Sequence, residues 1–173
     1  EMCIRDSTWT AVYTANANDA DGAVTYDIAF SDIAANVGTP VTTGSGSVTT
    51  DTSVPTLSSV SISSNNANRS MATPTDVVTL SFTSSETIQS PTVTASSGGA
   101  AVDGNVSVSN TNGNTWTASF VAKANDTAGP VTFRIAFSDT AGNAGTPVTA
   151  TTDSSNVAVV IDTDLPTLLS VSY

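Results

Sequence analysis

The side chains with chemical capacity in this sequence are almost all acids: 15 aspartates and glutamates stand against 4 lysines and arginines, and there is no histidine. The lack of histidine removes the commonest general base and the commonest transition-metal ligand together. After the first residue the only glutamate is Glu86, and the aspartates recur in equivalent turns, as structural residues do. The glycine-rich stretch "SSGGAAVDGN" lacks the lysine and the strand–helix context of a phosphate loop. We therefore predict that the chain is not an enzyme.

Calcium is the metal ion that the many carboxylate and amide oxygens of this sequence favour. Ca²⁺ takes six to eight ligands from carboxylates, amides and backbone carbonyls, and such groups are abundant in the glycine- and asparagine-rich segments. The net charge of −11 attracts cations and repels nucleic-acid phosphates and anionic lipid. No apolar run approaches the ~20 residues of a membrane span. The sequence predicts calcium as cofactor, no nucleic-acid partner and no membrane insertion.

An internal repeat organises the chain. The stretch that starts at Trp9, "WTAVYTANANDADGAVTYDIAFSDIAANVGTPVT", matches one that starts at Trp116, "WTASFVAKANDTAGPVTFRIAFSDTAGNAGTPVT". They agree at 22 of 34 positions without a gap, at an offset of 107 residues. A second match joins "DTSVPTLSSVSI" from Asp51 to "DTDLPTLLSVSY" from Asp162, at an offset of 111. A period of this length indicates tandem small domains.

Within the repeat, apolar and polar residues alternate with the period of β-strands. Val78, Leu80 and Phe82 share one face, and the same pattern holds from Trp116 and from Val131. Seven strands are predicted: Leu57–Ile62, Val77–Thr83, Thr92–Ala95, Asn105–Ser109, Thr115–Ala122, Val131–Ser138 and Asn156–Ile161. Seven short strands in about 110 residues are the count of an immunoglobulin-like sandwich.

The motifs "FSDTAGNAGTPVT" and "DTDLPTL" together resemble the bacterial Ig-like repeats of large surface proteins and adhesins, over residues 7–173. The resemblance implies an all-β fold of tandem immunoglobulin-like β-sandwiches. It also implies an extracellular or cell-surface location and neighbouring Ig-like repeats as partners, with the surface or matrix ligand bound elsewhere in the full protein. The paired cysteines of antibody-type domains are absent, so the likeness to those domains stops at architecture.

The opening "EMCIRDS" has no counterpart in the other copy. The codons GAG-ATG-TGT-ATA-AGA-GAC-AGC encode it and contain a transposon end used as a sequencing adaptor. We interpret residues 1–6, which include the only cysteine, as a translated artefact. Residues 7–53 are then the C-terminal half of a preceding repeat, 54–162 one complete seven-stranded repeat, and 163–173 the first strand of a following one. The half repeat, lacking its first four strands, is expected to pack poorly or to lean on its neighbour.

Strand direction predicts which acids meet, because successive strands of a sandwich alternate in direction and their loops fall at opposite ends. The junction at Asp51 is expected to gather ligands from both sides: Asp19 and Asp21 from the half repeat, and Glu86, Asp139 and Asn143 from the complete one. At the far junction Asn125 and Asp126 are expected to meet Asp162 and Asp164. The alternative is that these residues only shape their own turns, as Asp and Asn commonly do.

Two functions remain open. The first is a structural spacer of a long, acidic adhesin or biofilm protein, stiffened by calcium between repeats. The second is a carbohydrate- or ligand-binding Ig-like module of a secreted enzyme, which needs exposed aromatic side chains. In the complete repeat Trp116 and the phenylalanines lie on predicted inward faces, which favours the spacer, and an exposed Trp116 would favour the binding module.

Overall fold

A computed structural model describes residues 8–152 and 158–170. Every regular element in these ranges is a β-strand, so the prediction of an all-β protein is confirmed. No helix there is long and apolar enough to cross a membrane. The suggested adaptor segment 1–6, the start of the predicted strand Asn156–Ile161 and the end of segment 163–173 lie outside the described residues. The chain divides into unit 1, Glu1–Ser53, and unit 2, Val54–Tyr173.

Eleven strands are present in the described ranges. Unit 1 holds β1 (Gly22–Ala23) and β2 (Thr49–Thr50), and unit 2 holds β3 (Leu57–Ser64), β4 (Met71–Ala72), β5 (Val77–Ser84), β6 (Thr92–Ser97), β7 (Ala100–Ala101), β8 (Ser107–Asn112), β9 (Thr115–Val121), β10 (Gly129–Ala136) and β11 (Val160–Ile161).

Unit 2 has two sheets. One has the order β3-β5-β9-β8 and is antiparallel throughout. The other has the order β4-β11-β10-β6-β7, in which only the β4–β11 pair is parallel. Apolar side chains from both sheets form one core, as expected when two half-apolar sheets must hide one face each.

The predicted inward faces are buried. On β5, Val78, Leu80 and Phe82 are at most 4% exposed, and they alternate with partly exposed residues along the whole strand. Trp116 and Phe120 on β9 are likewise buried. This period-2 burial explains why the strand pattern could be recognised from the sequence.

Some strand bounds differ from prediction. Strand β10 starts at Gly129 and ends at Ala136, two residues earlier than predicted, since Ser138 and Asp139 already belong to a hydrogen-bonded turn. Strands β4 and β7 were not predicted, because two residues each are too few to show alternation.

Unit 1 repeats the hydrogen bonds of unit 2 at the offset of the sequence repeat. The backbone N–H of Val41 donates to Ile28, as that of Val148 donates to Ile135. Yet Ile28 is 52% exposed, whereas Ile135 is fully buried. Unit 1 therefore keeps its local turns but leaves its apolar face uncovered.

Candidate metal centre

The turn after β10 is built around the carboxylate of Asp139. Its Oδ1 accepts the backbone N–H groups of Gly142 at 2.6 Å and Asn143 at 2.8 Å. Its Oδ2 accepts the side-chain amide of Asn143 at 2.8 Å. The backbone N–H of Asp139 donates in turn to the carbonyl of Asn143 at 3.1 Å. The pattern Asp-x-x-x-Asn thus closes the turn on itself, as such side chains do where the backbone lacks partners.

Asp139 is fully buried but remains charged at neutral pH. Burial alone raises the pKa of a carboxyl group, because it disfavours the anion. Here the hydrogen bonds from Asn143 and the backbone of Gly142 outweigh burial and hold the pKa of Asp139 below its ordinary value of 3.8. The turn therefore contains an ionised, buried carboxylate at this end of unit 2.

Asp32 forms the same turn in unit 1. Its Oδ1 accepts the N–H groups of Ala34 at 2.9 Å and Asn36 at 2.8 Å, and its Oδ2 accepts the side-chain amide of Asn36 at 2.8 Å. The hydrogen bonds from Asn36 lower the pKa of Asp32. An acid that the prediction did not include thus has the geometry of Asp139, and the shared letters "SD" and "N" of the two turns could have revealed it.

Asp126 and Asp19 are also equivalent. Oδ2 of Asp126 accepts the N–H of Lys123 at 2.8 Å, and Oδ2 of Asp19 accepts the N–H of Asn16 at 2.7 Å. Oδ1 of Asp126 further accepts the N–H of Asp103 at 2.7 Å. Asp126 is therefore a buried turn cap, and its described hydrogen bonds lead to Asp103 and Lys123 rather than to the far junction.

The carboxylate of Asp21 accepts hydrogen bonds from the last residues of unit 1. Its Oδ1 accepts the N–H of Thr52 at 2.6 Å and the Thr52 hydroxyl at 2.8 Å, and its Oδ2 accepts the Ser53 hydroxyl at 2.6 Å. The hydrogen bond from Ser53, followed by those from Thr52, lowers the pKa of Asp21. This carboxylate fixes the segment that carries Asp51.

Asp51 and Asp162 cap their own segments in the same way. Oδ1 of Asp51 accepts the N–H of Ser53 at 3.1 Å, and Oδ1 of Asp162 accepts the N–H of Asp164 at 2.9 Å. Asn125 is exposed. For these residues the structure shows turn geometry, and calcium ligation by them stays a prediction.

Glu86 and Asp139 do lie together in unit 2, as strand alternation predicts. A carboxylate oxygen of each lies within 4.8 Å of the other. An isolated bridge pairs Ile88 with Asp139, and the N–H of Gln89 donates to the carbonyl of Ser138 at 2.9 Å. These backbone bonds hold the loop after β5 against the turn after β10, so the approach of the two acids is built into the fold.

Asp76 is a further capping residue that the sequence did not single out. Its Oδ2 accepts the N–H of Thr73 at 2.8 Å and the side-chain amide of Asn66 at 2.7 Å. The backbone hydrogen bond from Thr73, followed by that from Asn66, lowers the pKa of Asp76. No local motif marks the pairing with Asn66, because the two residues lie on opposite sides of β4.

Searches with protein-family models, of curated proteins and of solved structures gave no match to this chain.

Proposed function

We propose that the chain is a structural spacer of a long, acidic bacterial surface or matrix protein, built from Ig-like repeats. The order of strands supports this assignment. The sheet β3-β5-β9-β8 joins the first, second, fifth and fourth predicted strands, and β11, β10 and β6 correspond to the seventh, sixth and third. That partition is the one that seven-stranded immunoglobulin domains have.

The spacer is stiffened by calcium where unit 1 joins unit 2. The observation that carries this is the approach of Glu86 to Asp139 within 4.8 Å, since two carboxylates at such a distance repel one another unless a cation or proton lies between them. Oδ2 of Asp139 accepts the side-chain amide of Asn143, and carboxylate oxygens are the ligands that calcium prefers.

Asp51 supplies the third carboxylate. Pro55 is buried in unit 2, and Thr56 and Ser85 exchange hydrogen bonds of 3.0 and 2.9 Å. Asp51 precedes Thr56 by five residues, which span at most about 18 Å when extended, and Glu86 follows Ser85 directly. The covalent chain is therefore long enough for Asp51 to approach Glu86. A cation bound there would link the two repeats and limit their bending.

Thermal unfolding with calcium and with a chelator tests this proposal. A ligand that binds only the folded protein at 100 times its Kd adds about 2.7 kcal/mol to stability, so calcium should raise the Tm by several degrees. Glu86→Gln should abolish the increment. Asp27→Asn removes one exposed acid of unit 1 outside the site and should retain it. An unchanged Tm on chelation of the wild-type chain would exclude the calcium proposal.

The alternative, a ligand-binding module, gains no support from the described part of unit 2. Trp116 is 8% exposed, and Phe82, Phe120 and Phe137 are also buried. An aromatic platform for sugars needs exposed rings, whereas these rings form the core between the sheets.

A further inference from the structure

Unit 1 has an apolar face whose counterpart in unit 2 is covered. Phe30 is 54% exposed where Phe137 is 7% exposed, and Val41 is 43% exposed where Val148 is partly buried and packed against the core. Such an exposed cluster marks an interaction surface. The equivalent surface of unit 2 shows which segment can cover it.

In unit 2 the face is covered by the segment that leads into β3. Val54, Pro55, Thr56 and Leu57 line a small cavity together with Phe137, Thr146, Pro147 and Val148. Pro55 is fully buried. The tetrapeptide "VPTL" therefore has a defined seat on this face, and it is held there by apolar contact.

The seat is already formed in unit 1. Residues Phe30, Thr39, Pro40 and Val41 are identical to their equivalents in unit 2. A Cβ at Gly38 would lie 2.2 Å from the Phe30 ring, as one at Gly145 would from the Phe137 ring. The two rings thus rest on the same glycine in the same way, and the receptor surface is preorganised.

The chain also carries a second copy of the segment that fits this seat. Residues 165–168 read "LPTL", which differs from "VPTL" only by one methylene group. Leu165 is 88% exposed and Leu168 is 81% exposed. The donor and the receptor are thus both uncovered in one chain.

We propose that residues 165–168 of one copy dock on the unit 1 surface of a second copy that is formed by Phe30, Thr39, Pro40 and Val41. They would take the position that residues 54–57 take on unit 2. Donor and receptor are different surfaces, so the contact is head-to-tail and propagates into linear chains instead of closing as a symmetric dimer. The association depends on apolar contact and is independent of the calcium proposal.

Light scattering coupled to size-exclusion chromatography tests the docking. The average mass of the wild-type chain should rise with protein concentration. Leu168→Asp should weaken the association about tenfold or more, since its equivalent on unit 2, Leu57, is partly buried and packs against the core. Leu169→Asp is the matched control: its equivalent, Ser58, is exposed on unit 2, so this variant should associate like the wild type.

A synthetic peptide of the sequence "DTDLPTLLSVSY" gives a second readout that needs no variant to fold. It should lower the average mass of the wild-type chain by occupying the receptor face, and a peptide with aspartate in place of the leucine equivalent to Leu168 should not. A chain that stays monomeric at every concentration, equal effects of the two leucine variants, or an inactive peptide would each overturn the proposal. Docking within one chain would give the monomeric outcome.

Discussion

Replacing Gly145 by alanine should destabilise unit 2 because the new methyl group would clash with the ring of Phe137. A Cβ at this position would lie 2.2 Å from Cε2 and 2.5 Å from Cζ of Phe137, whereas unstrained carbon atoms stay about 3.5–4.0 Å apart. The φ angle of Gly145 is outside the left-handed region, so alanine fits the backbone and the clash is confined to the ring. The ring must therefore move by more than about 1 Å.

The ring has little room to do so. Phe137 is 7% exposed, and its carbonyl accepts the N–H of Gly145 at 3.0 Å, which fixes the two backbones against each other. Overpacking of this kind costs about 1–3 kcal/mol. For a unit of this size each kcal/mol lowers the Tm by about 3–5 °C. Urea denaturation should show a lower midpoint with an unchanged slope.

Two companion variants isolate the cause. Phe137→Leu shortens the ring and should relieve the clash, so Gly145→Ala in that background should cost much less than in the wild type. Gly38→Ala creates the same close contact with Phe30, which is 54% exposed and can turn toward solvent, so its cost should be small. A wild-type midpoint for Gly145→Ala, or full additivity with Phe137→Leu, would refute this explanation.

Two further predictions concern protonation and exposure. Hydrogen bonds hold the pKa of Asp76 below its ordinary value of 3.8, and for Asp139 they outweigh burial to the same effect. As the pH falls, these carboxylates therefore bind protons at a higher pH in the unfolded chain than in the folded chain. The free energy of unfolding that they contribute above about pH 4 should be lost as the pH falls further. Urea midpoints between pH 3 and 6 should show this slope, and Asp139→Asn should flatten it. Trp9 is 89% and Trp116 is 8% exposed, so acrylamide quenching should resolve two populations, and Trp9→Phe should remove the strongly quenched one. A single quenching constant in the wild type, or a pH-independent midpoint, would contradict these expectations.

The sequence predicts the strands well where burial alternates. On β5 every second residue enters the core, so the apolar pattern reports the strand directly. Strands β4 and β7 have two residues each, and their pairing depends on long-range contacts that leave no periodic signal. The same limit applies to the hydrogen bond between Asn66 and Asp76, which lie on opposite sides of β4.

The part of the candidate site that could be predicted from the sequence is the part that strand direction determines. Alternation of strand direction correctly predicted that Glu86 approaches Asp139. It could not predict that Asp126 is occupied by the N–H groups of Asp103 and Lys123, because the path of the loop around Asp103 is set by its own hydrogen bonds. The acids that recur in the repeat serve turns first.

Calcium titration by calorimetry tests the proposed stiffened spacer most directly. The wild-type chain should bind one Ca²⁺ per molecule, Asp51→Asn and Glu86→Gln should each weaken binding strongly, and Asp27→Asn should bind like the wild type. Absence of binding heat across several temperatures, together with no calcium retained in equilibrium dialysis, would contradict a metal-stiffened junction, as would equal affinities of the Glu86→Gln and Asp27→Asn variants.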